Sequence, residues 1–300
     1  MLLIIIYTVA IIGMISGCDR KTEIEWVSPY NDLDWSNTIQ AKGQFHTHTL
    51  ISGEGRHFSP HEVVDLYHDL GYDILAITDR WNTTWPWQEF SSFGYENRDP
   101  ETLGMLAIPE SEPQFGGLRQ HHLITLFTDA NGDGMSFEET LAASGEDGGL
   151  VSFAHPGRIN EYENNELEDY IYNLDKYPHI YGFEIFTSYT LSKDTERWPR
   201  SKKIYSDILK HYGSPADNGW RPVWLTSTYD FSRIPGIHSD IGFQIQLLDN
   251  LDYNNVYNSL KDGSFFWVAQ GYGEQPPVIE SIDINCGINT YYLILCILQA

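Results

Sequence analysis

Phe45-His46-Thr47-His48-Thr49 closes a short strand-like segment, and its reading decides how the rest of the chain is understood. Side chains along a strand alternate faces, so His46 and His48 project to the same side. Two neutral imidazoles on one face suit Zn, Mn or Fe. A His-x-His pair also occurs as plain polar surface or hydrogen-bonded core. The pair therefore needs company from other parts of the chain.

Outward from that pair, Lys42 to Leu50 reads as the first strand and its exit. Ser59 then reads as an N-cap, with Pro60 at the first helical position and Glu62 completing a capping box. Val63, Leu66, Tyr67 and Leu70 give that helix an apolar stripe, and Gly71 ends it. Tyr72 to Thr78 follows as a strand running into Asp79-Arg80, which completes a βαβ unit. Further strands are expected at Leu103–Ile108, His122–Phe127, Leu150–Ala154, Tyr181–Phe186, Val223–Thr226 and Phe265–Val268. Helices are expected at Phe137–Ala143, Ile204–Tyr212 and Val256–Leu260. This alternation predicts an α/β fold with a parallel sheet, and about seven such units predict barrel-like closure. His46, His48, Asp79, Glu112, His155 and Asp230 fall near carboxyl ends of these strands, the rim where such barrels build sites. His122 is the exception, at a strand start.

With 300 residues, 41% of them hydrophobic and 14% aromatic, the chain has material for a substantial core and is no disordered segment. A formal net charge of -24 argues against a nucleic-acid-binding patch or attraction to anionic lipid, and for a small-molecule substrate. A phosphorylated substrate would then need local relief from cations. Leu2 to Ile15 is an apolar run too short to span a bilayer comfortably, ending in Ile15-Ser16-Gly17-Cys18.

Those last four residues resemble a bacterial lipobox. On that reading residues 1–18 hold a lipoprotein signal peptide, and lipidated Cys18 anchors the chain in the cell envelope. The run lacks the usual basic residue at its start, and the alternative is an uncleaved N-terminal anchor helix. Residues 19–41 read as a tether, 42–273 as the barrel domain, and 274–300 as a linker with a truncated β module. Cys286 and Cys296, ten residues apart, could pair outside the cytoplasm, but they suggest neither a zinc knuckle nor a disulfide framework.

Five segments together resemble the polymerase and histidinol phosphatase (PHP) family: Phe45–Thr49, Ser59–Val64, Asp73–Asp79, His121–Leu126 and Ala154–Arg158. The resemblance implies a distorted seven-stranded β/α barrel whose rim binds divalent metals and hydrolyses phosphoesters. It implies that His46, His48 and Asp230 hold one metal, that Glu112 bridges, and that His122 and His155 complete a second site. His121 competes with His122 for that role.

Three departures stand out. The family reads Thr-Asp-His where this chain has Thr78-Asp79-Arg80, and Asp-x-His where it has Asp230-Phe231-Ser232. It reads Ser-Asp-Gly where this chain runs Ser52-Gly53-Glu54-Gly55. Those positions mainly serve a third metal, so two ions are expected, with the Arg80 charge near the place of the third. Glu54, His57 or His238 would be replacement ligands on the other view. Arg80 is expected to bind a phosphate oxygen. Arg158 either joins it or forms a salt bridge at the rim. Asp79 either orients a His ligand or pairs with Arg80.

Asp129-Ala130-Asn131-Gly132-Asp133-Gly134 begins like a calcium loop, with Asp129, Asn131 and Asp133 as ligands, yet its twelfth position is Thr140. A plain turn into the next helix explains it equally. Trp81, Trp85, Pro86 and Trp87 form either a substrate lid or packing under a loop, and Glu184 is a supporting or structural carboxylate. The expectation is an exported, metal-dependent phosphoesterase. An amide or ester hydrolase on the same metals, and a degenerate barrel binding metal or ligand without turnover, are its rivals.

Overall fold

The structure is a computed structural model describing residues 29–30, 33–53, 57–82, 87–115, 121–156, 167–187, 197–212, 221–230, 240–271, 276–280, 283–287 and 290–294. Arg158, Glu54, His238, Trp85, Pro86, Cys18 and Cys296 lie outside these residues. The strands are β1 (Ile39–Gln44), β2 (Ile74–Ala76), β3 (Leu106–Ile108), β4 (Glu110–Ser111), β5 (Leu123–Leu126) and β6 (Leu150–Phe153). They continue as β7 (Ile180–Phe186), β8 (Trp224–Ser227), β9 (Asp240–Leu248), β10 (Phe265–Gly271), β11 (Asp283–Gly287) and β12 (Thr290–Ile294). The helices are α1 (Pro60–Asp69), α2 (Phe137–Glu146), α3 (Leu167–Lys176), α4 (Arg197–Tyr212) and α5 (Tyr253–Asp262).

Two five-stranded sheets, ordered β10-β9-β1-β2-β3 and β4-β5-β6-β7-β8, replace the expected closed barrel of parallel strands. No continuous ring of strand pairing is present among the described residues. The sheets divide at Pro109, between β3 and β4, where proline has no N–H to give a ladder. Pairing is mixed: β1 with β2, β2 with β3, β6 with β7 and β7 with β8 run parallel, while β9 runs antiparallel to both β1 and β10. β4 and β6 both run antiparallel to β5. An intervening helix thus does not guarantee a parallel pair. Between β5 and α2, residues 127–136 supply an extended reach of about 30 Å, enough to carry the chain along the sheet before the helix starts.

This antiparallel turn accounts for His122. Because Leu123 pairs with Phe153, the start of β5 lies beside the end of β6, and His122 faces the same rim as His155. The end of β4 lies there too, which brings Glu112 alongside. β9 and α3 were not among the expected elements. In β9, buried Gln244 and Gln246 alternate with buried Phe243, Ile245 and Leu247, so neither face shows the polar pattern of a solvent-facing strand.

Local chemistry supports the helices. Ser59 and Glu62 form the capping box at α1, Ser136 and Glu139 form one at α2, and Gly71 just past α1 takes φ 69°. Val63, Val64 and Tyr67 of α1 pack on Leu75 and Ile77, while Tyr170, Leu174 and Ile208 of α3 and α4 pack on Val151, Phe153 and Phe183. The core therefore covers the outer faces of both sheets and holds the rim in place. At the opposite end of β1, Tyr30 donates to the Phe265 carbonyl at 2.8 Å, and Gln40 exchanges hydrogen bonds with the Ile279 backbone. Residues on both flanks of the domain thus dock onto it, away from the His46 end.

Candidate metal centre

His46 and His48 leave the end of β1 fully buried, their rings edge-to-face with centroids 5.0 Å apart and their Nε2 atoms 3.1 Å apart. The two carboxylates expected beside them arrive from other strands. Asp230 Oδ1, beyond β8, lies 3.4 Å from both Nε2 atoms. Glu112 Oε2 is 3.2 Å from His48 Nε2, whereas its Oε1 is 3.1 Å from His122 Nδ1 and 3.2 Å from His155 Nε2. Three donor groups result, each with ligand atoms within 4.8 Å of one another: His46–His48–Glu112, His46–His155–Asp230 and Glu112–His122–His155. Nitrogen and carboxylate oxygen at such spacing fit a borderline divalent ion such as Zn, Mn or Fe. All six expected metal-site residues meet in this one cluster.

The neighbours of these groups orient them. His46 Nδ1 lies 2.9 Å from Glu184 Oε1, so the ring donates there and leaves Nε2 facing the cluster. Glu184 is itself held by the Thr228 hydroxyl and by the His155 backbone N–H at 2.8 Å. Burial opposes charge on His46, but the carboxylates of Glu184, Asp230 and Glu112 outweigh it and hold the imidazole up to about 9. Burial likewise opposes ionisation of Glu112 and Asp230, yet the surrounding His residues hold both carboxylates below their usual range. Glu110, one pleat before Glu112, is pushed well above the ordinary value by burial and by Glu184 and Asp79.

His121 points the other way, against Phe137, Phe153 and Tyr170, where burial drives its pKa down to about 3. Of the adjacent pair, His122 is the one that reaches the cluster. Asp79 belongs to none of the three donor groups: Thr49 N–H at 2.7 Å, Thr49 Oγ1 at 2.6 Å and Ser52 Oγ at 2.6 Å take up its oxygens. Arg80 turns to the cluster instead of to Asp79, with Nε 3.6 Å from Glu112 Oε2 and its side chain 19% exposed. His57 is exposed and belongs to none of the donor groups. Trp81 packs edge-on to Phe115 at 5.5 Å, as loop packing would have it. In the 129–134 loop, Asn131 Oδ1 accepts the Asp133 N–H at 3.0 Å, an Asx turn.

Backbone strain collects at the same rim. His155 and Asp230 take φ of 28° and 47°, unfavourable for side chains with a Cβ, and Trp81 beside Arg80 takes 58°. Sequence patterns carry no mark of such conformations. Ser52 is the other contributor without a sequence signal, because its role depends on the short 3-10 turn Leu50–Ser52 folding back onto Asp79.

The charge arrangement has a measurable consequence in the metal-free protein. A His46 pKa raised from 6.5 to about 9 stabilises the fold fully below pH 6.5, and that contribution is lost as pH rises towards 9. The depressed carboxylates act oppositely, stabilising above their ordinary range and failing in acid. Lys42, lowered to about 8 by burial, would add stability above that pH, so the clean window is 6.5 to 8. Thermal melts in chelator should show wild type losing on the order of 1–2 kcal/mol across it, relative to His46→Gln. A difference that grows with pH would contradict the arrangement.

The chain is a mixed α/β scaffold with a buried imidazole–carboxylate cluster at one rim, a donor set that could hold a divalent ion. Among solved structures, a two-domain protein from Bacteroides vulgatus, described as containing a predicted PHP-like metal-dependent phosphoesterase, matches at 16% identity and TM-score 0.58. The alignment covers 85% of this chain and 70% of that one. A protein from Bifidobacterium adolescentis, provisionally named a metal-dependent phosphoesterase, matches at 13% identity and TM-score 0.47 over 64% of this chain and 87% of its own. A lesion-specific endonuclease from Pyrococcus furiosus matches at 14% identity and TM-score 0.44 over 74% and 56%. No protein-family model and no curated protein matches the chain. The chain has the PHP-like fold.

Proposed function

We propose that the chain is a metal-dependent hydrolase of the PHP type that cleaves phosphate esters of small molecules, using two divalent ions. One observation carries this reading: Glu112 presents Oε2 to His48 and Oε1 to His122 and His155. A carboxylate whose two oxygens face different imidazole sets is arranged to be shared between two ions. His46, His48 and Asp230 would hold the first ion with Glu112, and His122 and His155 the second. Divalent ions there would lower the pKa of bound water towards neutrality and offset charge building on phosphoryl oxygens.

The chain's own groups supply the rest. Glu184 keeps the His46 ring turned so that Nε2 faces the cluster, and the strained backbone at His155 and Asp230 sets their approach. Arg80 offers a partly exposed guanidinium beside Glu112, placed to receive an anionic oxygen of the substrate. A net charge of -24 supports a small substrate over a polyanion, which the whole surface would repel.

Export and lipidation at Cys18 remain part of the proposal, supported by Ile15-Ser16-Gly17-Cys18. Among the described residues no helix is long and apolar enough to cross a membrane. The test is the purified chain loaded with Mn or Zn, assayed on aryl phosphates, a carboxylic ester and an anilide. Two ions per chain and chelator-sensitive phosphate release are expected, with membrane association lost in Cys18→Ala. Cleavage of the ester or anilide alone would shift the reaction class. Bound metal without turnover on any of the three would make the chain a binding protein.

A further inference from the structure

The two ligands of the His-x-His pair are held by different means. His46 meets a carboxylate directly. On its Nδ1 side, where His46 meets Glu184, His48 does not: that atom lies 3.3 Å from the Ser52 hydroxyl, and Ser52 Oγ in turn lies 2.6 Å from Asp79 Oδ1. Ser52 Oγ also accepts the Arg80 backbone N–H at 3.0 Å.

We infer that Asp79 and Ser52 act as a positioning relay that locks the His48 ring for metal ligation. Donor accounting makes the case. Asp79 accepts from Thr49 N–H, from Thr49 Oγ1 and from Ser52 Oγ, so the single hydroxyl proton of Ser52 goes to Asp79 Oδ1. Ser52 then has only lone pairs left, and these face Arg80 N–H and His48 Nδ1. Nδ1 must therefore carry the proton, and Nε2, the atom facing Glu112 and Asp230, keeps the lone pair a cation needs. Thr49 reinforces the arrangement by giving both its N–H and its hydroxyl to Asp79, which fixes the Leu50–Ser52 turn. The same hydroxyl that orients His48 anchors the backbone of Arg80, so ligand and guanidinium are registered to each other through one side chain.

This inference rests on the metal-hydrolase reading, and its test separates the two. Metal affinity is measured by calorimetry with Zn on wild type, Ser52→Ala and Ser52→Thr, with the metal-free melt of each as a check on folding. Ser52→Ala removes hydrogen bonds to buried Asp79 and to the Arg80 backbone, so that melt should shift to lower temperature while remaining one cooperative transition, which shows that the variant folds. Its tighter zinc-binding step should weaken about 10- to 100-fold, the usual effect of losing an outer hydrogen bond to a ligating imidazole. Ser52→Thr, which keeps the hydroxyl, should recover most of the loss. In zinc-loaded wild type the Nδ1–H proton of His48, assigned by its absence in His48→Gln, should be protected from exchange, and in Ser52→Ala it should not. Unchanged affinity and protection in Ser52→Ala would overturn the relay while leaving the metal centre standing. Failure of wild type to bind zinc at all would overturn both.

Discussion

Glu112→Gln should lower kcat/KM on an aryl phosphate by at least about 10³-fold, the scale of a Lewis-acid contribution worth several kcal/mol. It should also reduce tightly bound metal below two ions per chain. The substitution is nearly isosteric, so the loss would report chemistry. A carboxylate accepts on both sides, whereas an amide accepts on one and donates on the other. Either Oε2 facing His48 or Oε1 facing His122 and His155 is then replaced by an N–H₂ that repels a cation. Gln114, which donates to Glu112 Oε2 at 2.9 Å, would favour keeping the oxygen on its own side and the amide towards His122 and His155. The second site should therefore fail first. Metal-free Glu112→Gln should also melt lower, because buried imidazoles lose their acceptor, at a cost of about 3–5 kcal/mol for breaking such a pair. A variant that keeps two ions and a rate within tenfold of wild type would remove Glu112 from the centre of the mechanism.

Much of this cluster was legible in the sequence for a simple reason. His46 and His48 share a face because strand geometry makes them, and Glu112 and His155 follow strands whose apolar runs mark their ends. His122 was legible only as a position: its place at the start of β5 makes sense once Leu123 is seen to pair antiparallel with Phe153. Pairing direction between β5 and β6 depends on how residues 127–136 return the chain, and that loop carries turn residues without direction. The division at Pro109 was likewise invisible, since a single proline between two apolar segments reads as a turn within one barrel. β9 escaped because Gln244 and Gln246 are buried against each other at 3.1 Å, which makes polar residues part of the interior. Asp79 was legible as a carboxylate near the site, but its hydroxyl partners come from a turn 27 to 30 residues earlier. Interactions that depend on loop trajectory leave no periodic trace, and the orienting shell of a metal site is made mostly of such interactions.

Arg80→Ala should produce two effects of opposite sign, and that pairing is what distinguishes a phosphate-binding guanidinium from a structural one. The Arg80 Nε sits 3.6 Å from Glu112 Oε2, so the guanidinium offsets part of the negative charge a cation would feel. Removing it should tighten zinc binding several-fold. On an aryl phosphate, however, kcat/KM should fall about 10²- to 10³-fold, equivalent to about 3–4 kcal/mol of charge-assisted hydrogen bonding that the transition state no longer receives. A neutral carboxylic ester makes no such hydrogen bond, so any rate on it should change far less. Lys is a poor substitute here, because a point charge on a flexible stem lacks the paired N–H geometry. Arg80→Lys should therefore recover only part of the phosphate rate. If Arg80 were instead a buttress for Glu112, its removal would weaken metal binding and lower both rates together, and Lys would restore them. If the guanidinium stands where a third ion would otherwise bind, wild type should hold two ions, and Arg80→Ala alone should admit another. Three ions in wild type would rule that replacement out, since a cation and a guanidinium cannot share so small a space beside one carboxylate oxygen.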